Sequence, residues 1–230
     1  MFSIQRSFRV HTSLAAALAF CAALATIGIT STQQLAAQTK PVSAPSAAGA
    51  DYENRWDIFG GFSYSYFSTT IGHGHKTNLY GGGAQATAWL SPMIGLSAAV
   101  RQVSGNIPVD PIVTGITNPR ISETLFLFGP DVRLYRKPRL TVAGNIRAGG
   151  TYGIFDTDLK GVSPNSLGLY NNQLAFAAAI GGTFDFNLSP RISVRAITDF
   201  QPTYFGSSIQ KEFAGQVGIV YKLGSLHKIQ

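Results

Sequence analysis

Eight stretches of this chain alternate, residue by residue, between two chemistries. In residues 140–147, Leu140, Val142, Gly144 and Ile146 fall on one side, and Thr141, Ala143, Asn145 and Arg147 on the other. A repeat of two belongs to a β-strand, whose successive side chains point to opposite faces. The pattern predicts strands near residues 56–68, 78–90, 93–105, 121–135, 139–154, 173–188, 191–205 and 211–223. Most of them exceed the roughly 9–11 residues that a tilted strand needs to cross bilayer hydrocarbon.

Alternation alone does not say which face meets water. In the sixth stretch one face is Ala175, Ala177, Ala179, Gly181, Thr183, Asp185 and Asn187, and the other includes Leu174, Phe176, Ile180, Phe184, Phe186 and Leu188. Water-washed sheet faces carry Lys and Glu, whereas small residues suit the crowded inside of a narrow barrel. The greasy face is then the outer wall. Charged residues make up 13% of the chain, against about 25% in soluble domains. Lys40, Lys76, Lys137, Lys160, Lys211, Lys222 and Lys228 all fall in tails, turns or strand ends. Trp56, Trp89, Tyr135, Phe186 and Tyr221 cluster toward one rim, and Tyr64, Tyr66, Tyr80, Tyr152, Tyr204 and Phe213 toward the other. Two aromatic girdles are expected where rings meet headgroups.

The N-terminus reads as an export signal. Arg6 and Arg9 precede the uncharged apolar run 14–29, and Leu35-Ala36-Ala37 offers a small-residue cleavage site. The run is shorter than the roughly 20 residues of a spanning helix. Removal near Ala37 takes away Cys21, the chain's only cysteine. The mature protein then has no disulfide, thiol nucleophile or thiolate metal site. The expected organisation is a signal at 1–37, a flexible lead-in rich in Ala, Ser, Pro and Gly at 38–54, a barrel at 55–224, and a tail at 225–230. No second long apolar run follows, so any membrane crossing is made by strands. Net charge is +7, falling to +5 when Arg6 and Arg9 leave. That balance suits lipid phosphates. No basic stripe with interleaved aromatics marks a nucleic-acid partner.

The connections alternate in length. Leu90-Ser91-Pro92-Met93, Tyr135-Arg136-Lys137-Pro138-Arg139 and Leu188-Ser189-Pro190-Arg191 are tight and contain proline, where a missing backbone donor is harmless. The connections at about 69–77, 106–120, 155–172 and 206–210 are mostly longer and rich in Gly, Ser, Asn and Thr. Short turns at one rim and long loops at the other describe an outer-membrane barrel with the short turns in the periplasm. The expected fold is therefore all-β: an eight-stranded antiparallel up-and-down transmembrane β-barrel.

In this register Arg101, Asp131, Arg133, Arg147, Asp185, Arg195, Asp199 and Glu212 point into the lumen. Charges there must pair or meet water, because an isolated buried charge is very costly. They form either a plug that fixes strand register or a gated ion path. The width of an eight-stranded barrel, about that of its own packed side chains, favours the plug. Other constellations are thin. His73-Gly74-His75 has no third ligand nearby, so no metal is expected. Gly81-Gly82-Gly83 lacks the Lys-Ser/Thr of a phosphate loop and reads as relief of crowding. No nucleophile can be placed beside a histidine, so neither an enzyme nor a cofactor is expected.

The last strand, Gln216-Val217-Gly218-Ile219-Val220-Tyr221-Lys222-Leu223, resembles the C-terminal assembly signal of bacterial outer-membrane proteins. Gln216, Gly218, Tyr221 and Leu223 match it; the chain continues past it through residues 224–230. Together with Phe59-Gly60-Gly61-Phe62-Ser63-Tyr64, Phe128-Gly129-Pro130, Gly181-Gly182-Thr183-Phe184-Asp185 and Val194-Arg195-Ala196, it resembles the small outer-membrane β-barrel family, grouped with outer-membrane protein A-like eight-stranded barrels. The resemblance implies an outer-membrane location, lipid and the assembly machinery as partners, and no catalytic residues. The expected role is a monomeric, non-enzymatic barrel acting structurally or through its surface loops. A small ion or solute channel is the alternative, and a soluble periplasmic barrel binding an apolar ligand is a third.

Overall fold

A computed structural model describes residues 54–68, 76–108, 116, 118–167, 169–206 and 208–226. The expected signal, all of the lead-in but Asn54, and the pair His73 and His75 lie outside the described residues.

Eight strands follow in chain order: β1 (Trp56–Ser68), β2 (Lys76–Trp89), β3 (Ile94–Asn106), β4 (Arg120–Arg136), β5 (Leu140–Thr157), β6 (Gln173–Asn187), β7 (Ile192–Phe205) and β8 (Ser208–Leu223). A short 3-10 turn, Pro164–Leu167, lies between β5 and β6. Each strand pairs antiparallel with the next, and β1 closes on β8 from Trp56 opposite Leu223 to Ser68 opposite Lys211. Closure leaves no unpaired edge, so the backbone polar groups of the wall are satisfied within the sheet. Strand ends differ from the expected ones by at most three residues, with β5 and β8 reaching further toward the long-loop rim. No helix among the described residues is long and apolar enough to cross a membrane.

The repeated Leu-Ser-Pro-x-Ile sequence makes the same turn twice. Ser91 Oγ accepts from the backbone of Met93 and Ile94, while Leu90 and Ser91 donate to the carbonyl of Ile94. Ser189 Oγ does the same for Arg191 and Ile192, and Leu188 and Ser189 donate to Ile192. Side-chain-closed turns of this kind need Ser at that position, and proline after it presents no N–H to satisfy. Between β4 and β5 the chain reverses at Lys137 and Leu140, which bond each other's backbone.

Side-chain parity sorts two environments. Outward positions include Leu134 and Leu174, 71% and 72% exposed, with Phe126, Ile146, Phe176, Ile180, Phe213 and Ile219 also open. Inward positions include Arg147 at 2% and Glu212 at 0% exposure. Two register shifts interrupt the pairing of β4 with β5, one between Arg120 and Ser122 and one between Arg133 and Tyr135, and the second breaks side-chain parity. It leaves Leu134 and Tyr135 both exposed, which is what a β-bulge does to neighbouring side chains. Two glycines matter at the seam: Gly61 lies opposite Gly218. A Cβ on Gly218 would meet the backbone of Gly60 and Gly61.

Trp89 corrects the expected aromatic girdle. It shares parity with Gln85 and Thr87, faces the lumen and is buried. Its ring packs 3.5 Å from the guanidinium carbon of Arg133. Stacking on a cation gives an inward indole an alternative to the interface.

Candidate functional site: the charged lumen

Strand register arranges the inward side chains as layers from the short-turn rim to the long-loop rim. All eight lumen charges named from the sequence are buried. Parity also carries Asp57, Glu123 and Lys222 inward, and these are buried too. Each was legible: Asp57 shares its face with Phe59 and Ser63, Glu123 with Leu125 and Asp131, and Lys222 with Gln216 and Val220.

The layer nearest the short turns is ion-paired. Arg195 grips Asp185 with two bonds, Nε to Oδ1 at 2.6 Å and Nη2 to Oδ2 at 2.8 Å. The same Nη2 reaches Asp57 Oδ2 at 2.9 Å, so one arginine bridges β6 and β1 through the lumen. Arg133 approaches Asp57 at 3.8 Å and donates to Asn54 Oδ1 at 3.0 Å and to the carbonyl of Pro92. Asn54 donates in turn to Asp57 Oδ1 at 2.5 Å. Lys222 donates to Asn187 Oδ1 at 2.7 Å. Planar guanidinium groups suit this arrangement because they hold two acceptors in fixed directions.

The next layer centres on Asp131 and Arg147. Arg147 Nη2 lies 2.9 Å and 3.2 Å from the two carboxylate oxygens of Asp131, and its Nε donates to Ser97 Oγ at 2.9 Å. Ser97 and Gln85 also donate to Asp131, at 3.0 Å and 3.1 Å. The carboxylate thus accepts from its neighbours β3 and β5 and, across the lumen, from β2, with which β4 does not pair.

The third layer is less complete. Arg101 donates to Gln201 Oε1 at 2.5 Å and meets Asp199 only at 3.9 Å. Glu212 makes no ion pair among the described residues; Ser65, Gln201 and Thr203 donate to it. Thr151 donates to Glu123 at 2.6 Å. Arg101 Nε and Nη1, Asp199 Oδ1 and Glu123 Oε2 have no hydrogen-bond partner among the described residues. Buried polar atoms left this way are ones that ordered water serves in folded proteins.

Above these layers the lumen changes character. Phe67, Leu79, Val103, Ile121, Phe155 and Phe205, all inward-facing strand residues, form one buried apolar cluster with Ile107, Leu159 and Leu169. Phe155 meets Phe205 edge-on at 5.4 Å, and Tyr170 stacks on Phe205 at 5.8 Å. Tyr170 itself is tied down by Gln210 Nε2 at 2.5 Å. Residues of the connection between β5 and β6 thus fold over the barrel mouth and join its lining. The inner face, expected to carry small residues and charges, keeps its parity but turns apolar near the long-loop rim.

The residues matching the assembly signal lie on the closing strand. Gln216 is buried inside, Tyr221 and Leu223 are exposed outside, and Gly218 is at the seam against Gly61. No group of three His, Cys, Asp or Glu that could hold a metal ion occurs among the described residues.

No protein-family model matches the chain, and no curated protein matches it. Solved structures do match. The outer membrane protein OprG from Pseudomonas aeruginosa shares 13% identity over 78% of this chain and 99% of that one, with a TM-score of 0.53. Neisserial surface protein A shares 8% identity over 73% of this chain and 97% of that one, with a TM-score of 0.50. The chain therefore has the fold of small eight-stranded outer-membrane barrels.

Proposed function

We propose that this protein is an integral outer-membrane barrel that is non-enzymatic and monomeric, is inserted by the outer-membrane assembly machinery, and acts structurally or through its surface loops. The observation that carries this reading is the inversion of burial. Isolated charges are normally wet and leucines dry; here Arg101, Arg133, Arg147, Arg195 and the carboxylates of Asp57, Asp131, Asp185, Asp199, Glu123 and Glu212 are inside, and a belt of Leu, Ile and Phe is outside. A patch of that extent on a soluble monomer is an association or aggregation surface. In a bilayer the same belt faces hydrocarbon. The belt counts against a soluble periplasmic barrel.

The lumen of this barrel is closed to ions by the paired charges and by the apolar cluster above them. Planar-bilayer recording of the refolded protein tests closure: a silent trace is expected, and reproducible unitary conductance contradicts it. The second reading, a small ion or solute path, draws support from the incompletely partnered Arg101, Asp199 and Glu123. Density-gradient fractionation of cells tests the location. Recovery with outer membranes, and slower gel migration after boiling than before, is expected; recovery in the soluble periplasmic fraction contradicts it.

A further inference from the structure

On the outer wall near the long-loop rim, strand register sets two lysines side by side. Lys76 on β2 and Lys211 on β8 both pair with Ser68 of β1, the strand between them. Both lysines are exposed and point outward, since alternation puts their neighbours Thr77 and Glu212 in the lumen. Two strand spacings separate their backbones, about 9.5 Å. Lysine carries its charge on a long flexible stem, so both ammonium groups can close on one anion held between them. No acidic residue takes an outward position on β7, β8, β1 or β2 among the described residues. The exposed acids of this rim, Asp156 and Asp158, are on β5 and just after it, across the barrel from β1.

The rows beneath the lysines are largely aromatic. One step down the wall, Phe213, Tyr66 and Asn78 stand side by side, and a further step down come Gly215, Tyr64 and Tyr80. The rings of Tyr64 and Tyr80 lie 5.4 Å apart, and those of Phe213 and Phe200 5.2 Å apart. Gly215 leaves a notch in this surface: a Cβ there would come no nearer than 3.9 Å to its closest neighbour, the carbonyl of Ile197. Asn78, whose Oδ1 accepts from the Tyr64 hydroxyl at 2.8 Å, places an amide between the cations and the rings.

We propose that this face of β8, β1 and β2 binds an acylated glycolipid of the outer leaflet through a phosphomonoester. The proposal rests on the membrane reading above, which puts the long-loop rim in that leaflet. A phosphomonoester carries close to two negative charges at neutral pH, which two converging ammonium groups match; a phosphodiester carries one. The acyl chains lie on the rings and in the notch at Gly215, and the sugar hydroxyls meet Asn78. A soluble polyanion fits less well, because it engages the lysines and leaves the aromatic rows beneath them uncovered. Each lysine at an anionic headgroup strengthens binding about fivefold, so the pair supplies about 25-fold.

The test uses the mature chain refolded in detergent micelles, with bound ligand counted by native mass spectrometry. The probes are bisphosphorylated lipid A, its dephosphorylated form, phosphatidic acid and a short inorganic polyphosphate. Lipid A is expected to bind most tightly, and Lys76→Gln combined with Lys211→Gln to weaken it about 25-fold, to the level of the dephosphorylated form. Lys160→Gln, which removes a cation of the same rim outside the site, is expected to leave the affinity unchanged. Should the double variant not refold, Lys76→Gln and Lys211→Gln taken singly provide the same comparison, each weakening lipid A about fivefold. Equal affinity for lipid A and its dephosphorylated form overturns the proposal. So does a lysine variant that binds like wild type, or a Lys160→Gln variant that loses as much. Phosphatidic acid binding as tightly as lipid A overturns the glycolipid assignment, and polyphosphate binding as tightly gives the lysines to a soluble polyanion instead. Failure of the membrane reading is distinct: the wild-type chain would then form no compact species in micelles and would not enter lipid vesicles.

Discussion

Arg147 touches Asp131 and Ser97, which in turn accept and donate across β2, β3 and β4. Removing it strands a carboxylate in a dry environment. Arg147→Ala is expected to lower the unfolding free energy by about 3–5 kcal/mol, read from urea titrations in detergent micelles. Replacing both partners, Asp131→Asn with Arg147→Met, is expected to recover a large part of that loss. A neutral residue no longer needs a counter-charge, so the double variant lies closer to wild type than the single one does. At the other end of the lumen, Phe205 is buried against Phe155 and Tyr170. Phe205→Ala is expected to cost about 3–5 kcal/mol in the same titration. A loss below about 1 kcal/mol would mean that the apolar layer is loosely packed.

At the scale of elements, the seam between β1 and β8 admits no side chain at two facing positions. Gly61 and Gly218 face each other with no room for a side chain on either. Gly218→Val is expected to block closure, abolishing the compact band on unboiled gels, whereas Gly60→Ala, where open space surrounds the added Cβ, leaves that band intact. The strands and short turns were legible because both rest on local rules: a period of two, and Ser-Pro where a turn needs a hydroxyl acceptor and no following donor. Legibility failed wherever a side chain's partner decides. Trp89 has the parity of Gln85 and Thr87, but aromatic character alone assigned it to the interface; only contact with Arg133 explains an inward indole. Asp57, Glu123 and Lys222 obey the same alternation and complete the inward set that it predicts. The apolar upper lumen was hidden for another reason. Phe67, Leu79, Phe155 and Phe205 come from four strands, and Leu159 and Leu169 from a connection. Only the closed register brings them together. Tyr135, expected in the girdle, is outside, and a bulge after Arg133 puts it there.

Over the whole molecule, the pairing of charges, the apolar mouth and the outer belt are parts of one arrangement. Polar groups can be inside only because hydrocarbon takes the outside. Spin labels at Ile146, Ile180 and Ile219, with one at Ala179 for the lumen, test this most directly by their relaxation with oxygen and with a water-soluble nickel complex in bilayers. The account predicts high oxygen and low nickel access at the three outward sites and low access to both at Ala179. Shielding of Ile146, Ile180 and Ile219 from oxygen in a particle that stays soluble without detergent would contradict it.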